Sequence, residues 1–138
     1  MTKQIDHHAA LIHTMVLVSA AEGKMTDREL AAMGLIVRHL PVFRDFDPER
    51  ISEVGRECAD LLGDDDGLDV ALGRIAEALP QPLRETAYAL ACDVAAADGE
   101  PVQAELKMLE LIRDRLRIDR LVAGAIERGA QARHRVNT

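Results

Sequence analysis

Val94-Ala95-Ala96-Ala97-Asp98-Gly99 falls on Val18-Ser19-Ala20-Ala21-Glu22-Gly23 when the chain is shifted along itself by about 76 positions, and the reading of this pair decides the fold. The match runs on beyond the turn. Glu29-Leu30 lies on Glu105-Leu106, Leu35-Ile36 on Leu111-Ile112, and Leu40 on Leu116. Each copy reads as a helix, an acidic-Gly turn, and a second helix with Glu in its first turn. The matched Gly and Glu stand outside the apolar set, so chance similarity between two Ala-rich helices does not account for them. A duplication of this kind packs about a pseudo-twofold axis, which predicts that the two hairpins share one core.

Working outward, the first helix is expected from about Ile5 to Ala21. Ile5, Leu11, Ile12, Met15, Val16, Leu17 and Val18 are too many for a narrow apolar stripe, which places this helix near the middle of the bundle. Glu22-Gly23-Lys24 ends it, because Gly accepts the positive φ that terminates a helix. Thr26-Asp27-Arg28-Glu29 is a capping-box pattern and opens a second helix that stops at Pro41. Asp47-Pro48 is read as a cap with proline at the first position of a third helix, to about Leu62. Four more helices follow, at about Leu68–Leu79, Leu83–Ala97, Val102–Leu116 and Arg120–Ala132, with Pro80-Gln81-Pro82 as a connector and residues 133–138 as a frayed tail. The expectation is an all-α, compact bundle of about seven helices in one domain spanning 1–138, with pseudo-symmetric hairpins at about 5–40 and 81–116.

Composition agrees. Of the 138 residues, 48% are hydrophobic and 2% aromatic, with no Trp, which favours helix over strand. A chain of this length buries enough surface for one core without disulfide or metal. A net charge of −7 repels a phosphate backbone, and the densest cationic stretch, Arg113 to Arg120, is interrupted by Asp114 and Asp119; nucleic-acid binding is disfavoured. The start of the chain has no cationic region followed by an apolar run, and no apolar stretch approaches a membrane span, so a cytoplasmic protein without bilayer insertion is expected. Cys58 and Cys92 read as small buried hydrophobes.

The chemistry sits in the acids. Asp98-Gly99 followed by Glu105 has the spacing of the second half of an EF-hand loop, and Glu22-Gly23 followed by Glu29 repeats it. Val94 and Ala96, with Val18 and Ala20 in the other copy, occupy the positions of the first two acids, so neither loop is an independent EF-hand. A site would need the two turns together, with Asp98, Glu105, Glu22 and Glu29 as candidate ligands. Carboxylates without His or Cys favour Ca²⁺, Mg²⁺ or Mn²⁺. Each acid also has a plainer role: Glu29 closes the capping box with Thr26, Glu105 suits the dipole of a helix start, and Glu22 and Asp98 are ordinary turn residues. Asp93, on an apolar helix, requires a partner such as Arg. Asp64-Asp65-Asp66-Gly67 is read as a solvated turn plus helix cap, since Leu62 and Gly73 stand where a calcium loop needs acids.

The histidines do not assemble into a transition-metal site, no Cys-x-x-Cys, serine elbow or Gly-rich phosphate loop is present, and a catalytic role is not expected. His8 and His13 lie about 140° apart around a helix.

The pattern apolar-Ala-Ala-Ala-Asp98-Gly99-Glu100, then Glu105-Leu106 and an apolar helix to Leu116, resembles the TerB-like family, named for tellurite-resistance protein B. The first repeat is similar, with Glu22 in place of the more usual Asp, and the resemblance covers about residues 5–132. It implies an all-helical domain of a bacterial stress response, working with membrane-associated and calcium-binding partner proteins or beside chaperone-like domains, and metal chelation by the acidic positions. Three readings stand open: an accessory or interaction domain with a divalent-cation site at the acidic turns, a metal-independent protein-binding module, and an enzyme whose site sequence does not reveal. A protein partner, self-association, or both through an aliphatic helix face follow from the high apolar content.

Overall fold

A computed structural model describes residues 4–23 and 25–137. It contains seven α-helices: α1 (His7–Ala20), α2 (Asp27–His39), α3 (Ile51–Leu62), α4 (Gly67–Ala78), α5 (Gln81–Ala96), α6 (Gln103–Arg115) and α7 (Arg120–Arg133), with no strand among the described residues. Lys24 and Thr138, at the first turn and the end of the tail, lie outside the described residues.

The apolar crowding of α1 has its expected consequence. Every residue from Ala10 to Ser19 is buried, and α1 packs against α5, α3, α4, α6 and α2. Even its polar residues turn inward: Thr14 donates to the Ala10 carbonyl at 2.7 Å, and the buried His13 places Nε2 3.2 Å from the Val54 carbonyl oxygen. Burial holds the His13 pKa below its usual value, so the ring stays neutral. The second long apolar helix, α5, lies against α1 as the counterpart in the other repeat. Leu11, Met15, Val18, Leu90, Ala91 and Val94 join the single core that these two helices share.

The repeat shows in the register. α1 and α5 end at the matched residues Ala20 and Ala96, and α2 and α6 begin and end at matched positions with 13 residues each. Both turns use glycine in the left-handed region, at φ +98° for Gly23 and +104° for Gly99, where an L side chain would be strained.

Three local expectations are corrected. Asp47-Pro48 starts a 3-10 turn (Pro48–Arg50) instead of α3, because the Asp47 carboxylate accepts from Glu49 N at 3.0 Å and Arg50 N bonds back to the Asp47 carbonyl; α3 begins at Ile51. α5 begins at Gln81 rather than Leu83. Pro82 sits in its first turn, where no backbone donor is needed, and Arg84 reaches back to the Leu79 and Ala76 carbonyls at 3.0 and 2.6 Å, closing α4. Asp66 makes no side-chain cap bond to α4. Tight packing fixes that corner instead: a Cβ on Gly67 would stand 2.0 Å from the Leu61 carbonyl oxygen.

The tail also differs. Arg133 is the last residue of α7, and its guanidinium lies 2.6 Å from Asp93, with His134 Nε2 at 3.4 Å from the same carboxylate oxygen. Asp93 thus has the arginine partner its apolar helix requires.

Candidate functional site

The two acidic turns meet at one end of the α1–α5 pair, and each is built in the same steps. Gly23 N bonds to the Ala20 carbonyl at 2.9 Å and Gly99 N to the Ala96 carbonyl at 3.0 Å, turning the chain out of the first helix. Extended backbone follows at Thr26 (φ −80°, ψ 162°) and Val102 (φ −78°, ψ 165°), the N-caps of α2 and α6. Three residues on, Glu29 and Glu105 fold back. Glu29 Oε1 accepts from Thr26 N at 2.9 Å, and Glu105 Oε1 accepts from Val102 N at 3.2 Å.

In the first copy the box is complete, since Glu29 N donates to Thr26 Oγ1 at 3.1 Å. In the second, Val102 has no hydroxyl and only the glutamate half exists. The Thr26 hydroxyl has a further task that spacing along the chain does not reveal: it donates to Asp98 Oδ2 at 2.9 Å and so ties the first repeat's helix cap to the second repeat's acidic turn.

Glu29 is 1% exposed and Glu105 4%, the only buried carboxylates among the described residues. Their carboxyl groups face each other across the repeats. Two ionised carboxylates cannot share such a contact, so one must hold a proton or a cation must stand between them. The burden falls on Glu105, whose pKa is pushed up to about 7, first by burial, then by the facing Glu29 carboxyl, with the charges of Glu29 and Glu22 adding to the shift; the bond from Val102 N opposes it.

The structure therefore brings Glu29 and Glu105 into contact, sets Glu22 within their electrostatic reach, and points Asp98 at Thr26. Asp98 and Glu22 are exposed. As the side chains stand, no group of three or more His, Cys, Asp or Glu among the described residues is gathered closely enough to enclose a metal ion. The donor set nevertheless has the right chemistry for a hard cation: Glu29, Glu105 and Asp98 are all carboxylates, each with one oxygen engaged by a backbone N–H or a hydroxyl, and carboxylate oxygens are the ligands such a cation prefers.

A second group of polar side chains escaped the reading of single residues. On α5, α6 and α7, the Tyr88 hydroxyl donates to Glu127, and Arg113 Nη1 lies 3.8 Å from the same carboxylate. Setting the two repeats side by side would have found it, because the positions matching Tyr88 and Arg113 hold Ile12 and Val37. Both cysteines are buried and their thiols pushed up to about 12, which leaves them unreactive.

No helix of the described residues is long and apolar enough to cross a membrane. No curated protein and no solved structure matches the chain. The family model for tellurite resistance protein TerB matches residues 8–126, a span that takes in both repeats, both glycine turns and the facing glutamates. By that match over nearly its whole length, the chain belongs to the TerB family.

Proposed function

We propose that this protein is a non-catalytic accessory domain of a bacterial stress response of the tellurite-resistance type, cytoplasmic and acting through protein partners, with a divalent cation taken up between its acidic turns. The observation that carries the reading is the pair of buried carboxylates, Glu29 and Glu105, one from each repeat, facing each other. Capping explains why each glutamate folds back on its own helix. It does not explain why the two meet in a place shielded from water, where their charges repel.

A hard cation such as Ca²⁺, Mg²⁺ or Mn²⁺ would supply the missing counter-charge. Glu29 and Glu105 would hold it from the protein side, and Asp98 and Glu22 from the solvent side. Asp98 would then exchange or share its bond to the Thr26 hydroxyl, so uptake would bear on the contact that joins the two repeats.

Thermal melting tests this. Binding to the folded state alone stabilises by RT ln(1 + [L]/Kd), about 2.7 kcal/mol at a hundredfold excess over Kd, and a rise of several degrees is expected with millimolar Ca²⁺, Mg²⁺ or Mn²⁺. Asp98→Asn and Glu105→Gln should abolish the rise and leave the helical spectrum unchanged. A melting temperature indifferent to all three ions would reject the cation site.

The metal-independent alternative draws on a different observation. Leu30 and Leu106 are 51% and 46% exposed, and Leu35 and Leu111 are 61% and 37% exposed, so the same two positions of the repeat carry solvent-facing leucine in both copies. If the cation test fails, the domain is a helical protein-binding module and the acids are caps. Sedimentation showing a monomer that no stress-system partner retains would count against association in either reading.

A further inference from the structure

The second repeat is opened where the first is closed. Ile12, Val16 and Val37 of the first are 0%, 4% and 2% exposed and belong to the core. Their counterparts are Tyr88, Cys92 and Arg113; Tyr88 and Cys92 stay in the core at 1% and 5% exposed, and all three line a cleft of about 720 Å³ between α5, α6, α7 and the chain's C-terminal segment. Two apolar core positions have thus become a phenol and a guanidinium beside an open space, while Cys92 keeps the apolar character of Val16. A polar substitution in a core without gain in packing marks a functional position more often than a structural one. The volume falls in the range of small-molecule sites, and an apolar wall with a few convergent polar groups is their usual form.

From these positions we propose that the cleft binds a small organic acid, with its carboxylate on Arg113 and its apolar body along Leu106, Leu109 and Ala130. The polar groups decide the sign. Glu127 is already engaged, accepting from Tyr88 and facing Arg113, while Glu100 and Glu110 are exposed at the rim. Arg113 is not saturated: its nearest carboxylates, Asp114 and Glu127, stand 3.7 and 3.8 Å away, beyond hydrogen-bond distance. Its planar fork, ion-paired with both but hydrogen-bonded to neither, retains N–H donors for a two-oxygen acceptor, which suits a carboxylate better than a hydroxyl or an amine. Tyr88, buried and bonded to Glu127, keeps its proton well beyond neutral pH and holds Glu127 beside the guanidinium. The site is separate from the acidic turns, and its test does not depend on the cation reading.

The protein carries its own probe. Tyr88 is its single tyrosine and it has no Trp, so intrinsic fluorescence reports on the cleft alone. Sodium octanoate, octylamine and octanol share one tail and differ in the head group. Octanoate, with ten heavy atoms, is expected to bind with Kd on the order of 1 mM, saturably changing Tyr88 emission and shifting the amide NMR resonances of α5, α6 and α7. Arg113→Gln should weaken it roughly tenfold or more, by loss of a charge-assisted pair. Leu106→Asn, at an exposed position that cannot threaten the fold, should weaken it severalfold by wetting the wall. Octylamine or octanol binding as tightly as octanoate, an Arg113→Gln protein that binds as before, or no saturable response to octanoate in either signal would each overturn the assignment. Should Arg113→Gln fail to fold, Leu106→Asn and the head-group order decide.

Discussion

The first turn, Glu22-Gly23 to Glu29, and the second, Asp98-Gly99 to Glu105, share a backbone and differ in what stabilises it. Both glycines are left-handed, both caps are extended, and both glutamates return to the cap N–H. The first adds a hydroxyl that serves its own helix and the other repeat at once; the second has valine there, 40% exposed. Since the second turn forms without the hydroxyl, Gly and the third-position glutamate are sufficient for the shape. Thr26 serves the joint between the copies as well as the cap. The facing glutamates belong to that joint too, although each looks local within its own repeat.

The largest expected effect breaks the glutamate contact. Because burial and Glu29 raise Glu105 from the usual carboxylate value near 4.5 to about 7, the folded state holds a proton that the unfolded chain has released between those two values. Stability from this group is therefore fully present below about pH 4.5 and is lost as pH rises through about 7. In chelator, wild-type melting should fall across that window by several degrees relative to Glu105→Gln, whose amide neither titrates nor repels Glu29. A parallel pH profile for the two proteins would mean that the carboxylates are kept apart.

Exchanging the caps gives the next effect. Thr26→Val should cost about 1–2 kcal/mol in denaturant unfolding, through loss of the cap and of the Asp98 bond. Val102→Thr should recover up to about 1 kcal/mol by completing the second box. A double-mutant cycle with Asp98→Ala apportions the Thr26 loss. Equal costs for Thr26→Val with and without Asp98 would show that the hydroxyl serves its own helix alone.

The smallest effect concerns how the second helix of each repeat ends. α2 runs into Leu40 in extended conformation and then a 3-10 turn from Pro41, whereas α6 exits through Arg117 at φ 55°, with Ile118 N bonding back to the Arg113 carbonyl at 3.1 Å. Arg pays a steric penalty there that glycine avoids, so Arg117→Gly should stabilise by up to about 1 kcal/mol despite its greater freedom when unfolded. Unchanged or lower stability would show that the arginine side chain compensates.

Periodicity and caps carry the helices because their causes are local. The apolar positions of α1, too many for one stripe, read as a helix near the middle of the bundle, and Thr26 with Glu29 reads as a helix start; both stand in the structure. The 3-10 turn after Asp47 and the early start of α5 were hidden because proline permits more than one local hydrogen-bond pattern, and tertiary partners such as Arg84 choose between them. At the acidic turns the residue types and spacing were legible, and so was the need for both turns together. The pairing of Glu29 with Glu105, and of Thr26 with Asp98 across 72 positions, depends on how α1 lies against α5, which no spacing states. Asp93 could be known to require a cation, but not that the last residue of α7 would be the one to provide it.

The complete burial of α1 also bears on how the protein is made. A helix with ten consecutive buried residues, Ala10 to Ser19, leaves the ribosome well before its main cover, α5, which begins at Gln81. At about 5–20 residues per second, several seconds pass in which that apolar segment exists without its lid. The first repeat cannot settle as a finished unit ahead of the second. During translation this stretch is therefore a natural substrate for a holding chaperone, and a ribosome stalled before α5 would display an aggregation-prone segment.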